Sequence, residues 1–137
     1  METKRMEELY PQIAKLLNQM IPEKWVKVLL YSEVREGFSQ VYFYYYPESK
    51  DYPIYSLDIV DIYNIDKRDF KNLKQKLYDC FERLWEEFKL IGQEPWTHLT
   101  LSLDISGKMK IDYKYNDISQ MSPVEKQNKW EAQYLGM

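Results

Sequence analysis

Three kinds of residue in this sequence can do chemistry: a single histidine, a single cysteine and many carboxylates. His98 is the only imidazole, which puts the multi-histidine zinc sites of hydrolases out of reach. It falls on the off-core phase of an alternating run, so a surface or sheet-packing role is expected. Cys80 sits between Leu77 and Phe81 of an apolar stripe. No neighbouring base in the sequence would draw off its proton, and a buried structural thiol is expected. No phosphate-cradling loop, dinucleotide fingerprint or nucleophile elbow occurs, and the four glycines fall where turns or helix ends belong. Asp58 and Asp61 are close enough to suggest an acid–base or metal-binding pair, but two acids at that spacing arise readily by chance. The expectation is a chain with no catalytic residue, no metal site and no cofactor.

Two acidic features suit binding better than catalysis. From Asp51 to Asp66 the chain carries four Asp and no Lys, Arg or His, with Tyr52, Tyr55 and Tyr63 among them. Tyrosine supplies contact area and a hydrogen bond, and carboxylates steer a basic partner. Asp51, Tyr52, Tyr55, Asp58, Asp61 and Tyr63 are therefore candidate partner-binding residues, although a solvated loop with a helix-capping Asp would read the same way. The second feature is a helix whose first half holds Lys67, Arg68, Lys71, Lys74 and Lys76 and whose second half is mostly acidic. That polarity opposes the helix dipole, softened by pairs such as Asp79–Arg83 and Arg83–Glu87. Asp79, Glu82 and Glu86 lie opposite its apolar stripe and complete the candidate set; neutral surface drift would leave the same pattern.

The elements that must position these residues follow from hydrophobic period. Met6, Leu9, Ile13, Leu16, Leu17 and Met20 step by three and four, as in an amphipathic helix. Pro11 interrupts it, so the helix either kinks near Glu7–Tyr10 or starts at Pro11. Trp25–Val34 and Gln40–Tyr46 read as strands around a turn at Glu36-Gly37, with Val41, Phe43 and Tyr45 on one face. Pro47–Pro53 reads as a loop and Tyr55–Ile59 as a short third strand. Phe70, Leu73, Leu77, Phe81, Leu84, Phe88 and Ile91 define a long helix, capped by Asp66 and stopped by Gly92. Trp96–Asp104 and Lys108–Tyr115 alternate around Ser106-Gly107 as a hairpin with one wet face. Ser122-Pro123-Val124-Glu125 opens a last helix, which Trp130, Tyr134 and Leu135 could dock. Trp25 and Trp96 each open a strand after a proline-containing segment, with Gly37 and Gly107 at the following turns, so the chain reads as a degenerate repeat of helix plus hairpin. The 137 residues predict one α+β domain over 1–137, in helix–hairpin–helix–hairpin–helix order, with a mainly antiparallel sheet and helices packed on it.

Composition narrows the setting. A single cysteine allows no intrachain disulfide, which suits a reducing compartment. The first eight residues have no apolar h-region, and no run approaches the ~18 apolar residues of a membrane span. The reading is a cytoplasmic, soluble chain without membrane contact. Net charge is −3, without the basic surplus that direct nucleic-acid binding calls for. Thirteen Tyr and four Trp suit strands and interfaces alike.

Five segments, in order, carry a resemblance: Met20-Ile21-Pro22-Glu23-Lys24-Trp25-Val26-Lys27-Val28, Tyr55-Ser56-Leu57-Asp58-Ile59, Tyr63-Asn64-Ile65, Leu84-Trp85-Glu86-Glu87-Phe88 and Glu94-Pro95-Trp96-Thr97. Together they resemble the YezG-like immunity (antitoxin) proteins of Firmicutes. Pro11 and the mild net charge depart from what that family leads one to expect. The resemblance implies a protein without catalysis that binds a cognate toxin, a nuclease exported by a type VII-like (LXG-type) secretion system, and inhibits it inside the producing cell. An alternative in the same setting is a cytosolic chaperone or adaptor for a type VII secretion substrate. A carboxylate-based metal enzyme is the third reading.

Overall fold

The computed structural model describes residues 2–137. Its first element, α1 (Lys4–Met20), opens on Thr3, whose hydroxyl oxygen accepts the Met6 N–H at 3.2 Å. The helix runs through Pro11, so the start at Pro11 is excluded. Pro11 and the preceding Glu7 are both exposed. The carbonyl that loses its partner can turn to water there, which makes an interior proline tolerable.

Five strands follow: β1 (Trp25–Arg35), β2 (Phe38–Pro47), β3 (Ile54–Tyr55), β4 (His98–Asp104) and β5 (Met109–Lys114). They form one sheet in the order β3-β2-β1-β4-β5, with every neighbouring pair antiparallel. β1 is central: Leu30 faces Phe43 on one side and Leu101 on the other. The anticipated third strand at Tyr55–Ile59 is corrected to two residues. After Tyr55 the chain coils into a 3₁₀ turn (Ser56–Asp58) and a short helix, α2 (Ile59–Tyr63), which Asn64 ends at φ 50°. Only Tyr44 and Tyr45 find partners on β3. Side chains satisfy two further groups of β2: the Ser56 hydroxyl accepts the Phe43 N–H, and the Tyr78 hydroxyl donates to the Val41 carbonyl. These additions stand between the two hairpins, so the element order is richer than an alternation of helices and hairpins.

The long helix, α3 (Lys67–Leu90), begins as its sequence requires. The Asp66 carboxylate accepts from Arg68 N–H and Asp69 N–H at 2.9 and 3.1 Å. It ends in a left-handed Gly92 at φ 74°, with Gln93 N–H donating to the Phe88 carbonyl. A last helix, α4 (Pro123–Tyr134), is capped by Ser122, which accepts the Glu125 N–H at 3.2 Å.

Period two along the strands separates two cores. Val28, Leu30, Val41, Phe43, Tyr45, Leu99, Leu101 and Leu103 point to the face covered by α1 and α3, where Ile13, Leu17, Phe81 and Leu84 are fully buried. Each such side chain contributes about 1.5–3 kcal/mol on leaving water. The opposite face carries Leu29, Tyr31, Tyr42 and Tyr44, closed by Trp130 of α4. The wet face expected for β4 is thus corrected in part: Thr100 is buried and accepts the Trp130 indole N–H at 2.9 Å. β5, beyond the reach of that indole, keeps Lys110, Asp112 and Lys114 exposed.

Candidate partner-binding surface

The two residues first suspected of chemistry are held structurally. Cys80 is buried, and burial pushes its thiol above the ordinary value; its Sγ lies 3.9 Å from Gln12 Oε1. His98 is half-buried, its ring 6.1 Å from that of Tyr31 and its Nδ1 at 3.0 Å from the Thr97 hydroxyl. Among the described residues no group of three or more His, Cys, Asp or Glu is placed to hold a metal ion.

The acidic segment is a folded flank rather than a loop. Asp51 and Tyr52 are exposed between β2 and β3, Asp58 closes the 3₁₀ turn, and Asp61 is exposed on α2. Tyr63 is committed elsewhere: its hydroxyl and that of Tyr45 both donate to the Glu23 carboxylate. Partial burial works against ionisation of Glu23, but those two donors outweigh it and hold the carboxyl below the usual range. Tyr55 is half-buried, stacked on Tyr44 with ring centroids 4.9 Å apart.

On α3, Asp79 and Glu82 are half-buried and Glu86 is exposed, and they open into different grooves. Asp79 accepts from the Gln75 amide at 3.1 Å and lines a cleft toward α1 with Lys76 and Arg83. Glu82 accepts from the Ser39 hydroxyl at 3.3 Å, and Glu86 joins it in a groove under the β1–β2 turn. Glu87 turns inward and is buried, accepting from the Thr3 hydroxyl at 2.9 Å. The nine candidate residues therefore occupy the 51–63 flank and the two sides of α3, separate regions rather than one cluster.

Tertiary structure adds residues that no local pattern marks. Tyr44, Tyr55 and Asp58 form one side of an open groove of about 380 Å³, and Val124, Gln127, Asn128 and Glu131 of α4 form the other. Glu131 accepts a hydrogen bond from the Tyr44 hydroxyl, which also accepts from the Gln127 amide at 2.9 Å. Burial, together with the bond to Glu131, raises the Tyr44 phenol well above its ordinary value, so it stays a donor. α4 is held there by a buried ion pair. Lys126 Nζ donates to both carboxylate oxygens of Glu33 at 3.0 and 2.9 Å, and Glu33 also receives the Tyr31 hydroxyl at 2.9 Å and Arg35 at 2.5 Å. The only local hint of this was apolar: Trp130, Tyr134 and Leu135 foretold docking but not which polar groups would meet.

A family model described as "Immunity protein YezG-like" matches residues 6–137. The chain is 37% identical to "Immunity protein YezG" of Bacillus spizizenii, over 100% of this chain and 86% of the relative. It is 39% identical to "Immunity protein YezG" of Bacillus subtilis, over 96% of this chain and 89% of the relative. Against "Type VII secretion system protein EsaG" of Staphylococcus aureus it is 30% identical, over 97% of this chain and 83% of the relative.

Proposed function

The chain belongs to the YezG-like immunity protein family, and from that premise we propose that it binds and inhibits a cognate secreted nuclease toxin in the cytoplasm of the producing cell. As a member of that family it acts by binding and is not an enzyme. The observation that carries the reading is the family match across residues 6–137. Its type VII secretion setting is supported by the name of the staphylococcal relative.

The nuclease part of the proposal is supported by charge. A nuclease cleft is basic because it must hold phosphates. Carboxylates can occupy such a cleft in place of phosphate, and opposite charge speeds capture of a lethal partner. The exposed flank from Asp51 to Asp61 has the matching sign and no basic side chain. Asp51, Tyr52, Tyr55, Asp58 and Asp61 form the leading contact set, with Asp79, Glu82 and Glu86 as a second. Tyr63, already bound to Glu23, belongs to the support of that flank.

The test is co-expression with the C-terminal domain of the secreted protein encoded beside it. Rescue of growth and suppression of DNA or RNA cleavage by the purified pair are expected; continued killing by every neighbouring candidate would overturn the reading. The secretion-system name of the staphylococcal relative also favours a second reading, an adaptor for a secretion substrate. An immunity protein keeps its grip on the isolated toxic domain, whereas an adaptor needs the targeting segment and loses it.

A further inference from the structure

We propose that the groove between the 3₁₀ turn and α4 is the anchor point for a basic side chain of the toxin, best an arginine guanidinium. The inference rests on the immunity reading above and deepens it. Asp58 stands at one lip, exposed, and its carboxylate makes no capping hydrogen bond to α2. Glu131 stands at the other lip, and the half-buried Tyr55 ring lines the groove, backed by the Tyr44 ring that is itself buried between Tyr55 and Trp130. No basic residue lines this groove. The lysines of the same helix, Lys126 and Lys129, line a separate cavity with His98 and Lys114. α4 therefore presents amide and acid on one side and ammonium on the other.

Carboxylates flanking aromatic faces are the surroundings a guanidinium prefers. The Tyr55 ring attracts its positive face, and the oxygens accept its in-plane N–H groups in a fixed geometry. An ammonium gains the charge but less of the stacking. A phosphate or a nucleic acid is repelled by the same two acids, which commits the groove to a polypeptide.

A second observation independently points to a protein partner. Val124 on the α4 lip is 68% exposed, and Tyr52, Leu57 and Ile62 of the adjoining segment are 55%, 45% and 55% exposed. Val124 lines the groove itself, and a large apolar side chain left in water beside a carboxylate is the anatomy of an interface awaiting its partner. The groove exists only while α4 is docked, so the Lys126–Glu33 pair sets the shape of the anchor site without touching its occupant.

The test is calorimetry of the full-length protein against the purified toxic domain encoded beside it, with a catalytically inactivated toxin used for expression. Asp58→Lys and Val124→Glu replace exposed side chains and should leave the thermal melt unchanged. Each is expected to weaken the complex by about 10-fold or more, and Asp58→Lys should also flatten its salt dependence. Glu8→Lys, at an exposed acid of α1 outside both contact sets, should bind as wild type. If Val124→Glu weakens binding while Asp58→Lys does not, the groove takes an apolar side chain and the proposal is wrong. If both bind as wild type, the anchor lies elsewhere and the immunity reading still stands. If the wild-type protein binds no neighbouring toxic domain, the immunity reading fails and this inference falls with it.

Discussion

Lys126→Met should destabilise the protein by about 3 kcal/mol, because it strands the Glu33 carboxylate among aromatic rings with only Arg35 as a charged neighbour. Urea unfolding measures the cost, and the double change Glu33→Leu with Lys126→Leu should recover most of it. A loss no larger than that of an exposed lysine would show that the pair does not hold α4. His98 gives a pH signature at the same scale. Burial above all, with Lys114 and Lys126 added, holds its imidazole below the ordinary value, against Glu33 and Asp112. The folded state then resists a proton that the unfolded chain accepts near about pH 6.5. Stability is full above that pH and falls as pH drops toward the folded value, since the unfolded state binds more protons there. His98→Gln should flatten that part of the pH–stability curve; an unchanged slope between about pH 7.5 and pH 5.5 would assign the dependence to other groups.

At the scale of elements, α4 is joined to the sheet by side chains, as α1 and α3 are on the opposite face. Its central Trp130 packs on Tyr31, Tyr42 and Tyr44 at 5.6–6.2 Å between ring centroids. Trp130→Ala should cost about 3–5 kcal/mol of docking. The expected readout is fast hydrogen exchange across 123–134, with β1, β2 and β4 still protected. Uniform loss of protection would mean that α4 and the sheet unfold as one unit. The helices and main strands were legible because each follows a period or a cap that acts within a few residues: Asp66 on α3, Ser122 on α4, alternation on β1, β2 and β4. The 55–63 region was not. Tyr55-Ser56-Leu57-Asp58-Ile59 has strand-like composition, but the Ser56 side chain takes the Phe43 N–H and ends the pairing two residues in. That interaction joins residues 13 apart in sequence and leaves no local trace.

For the molecule as a whole, net charge is mild at −3, and its arrangement matters more than its total. Acid and tyrosine gather on the 51–61 flank, and the lysines of α4 line the far cavity. Steering by that flank predicts that the association rate with a basic toxin falls steeply as salt rises, while dissociation changes little. Stopped-flow mixing over a salt series measures both. A salt effect confined to dissociation would mean that the acids act only after contact.

Sequence by itself determined the fold class, the long helices and their caps, the burial of Cys80, the lack of residues for common catalysis and the ordered segments that resemble the immunity family. These are properties of composition and short-range periodicity, which physics enforces residue by residue. Only the tertiary structure decided that β1 and β4 join the two hairpins into one sheet. It also decided that α4 closes the tyrosine face through Glu33 and Lys126, 93 residues apart, and that Asp58 meets Glu131 across a groove. Such meetings depend on which faces are left to cover once the main core has formed. A buried charge finds its partner through space, and sequence spacing records nothing of it.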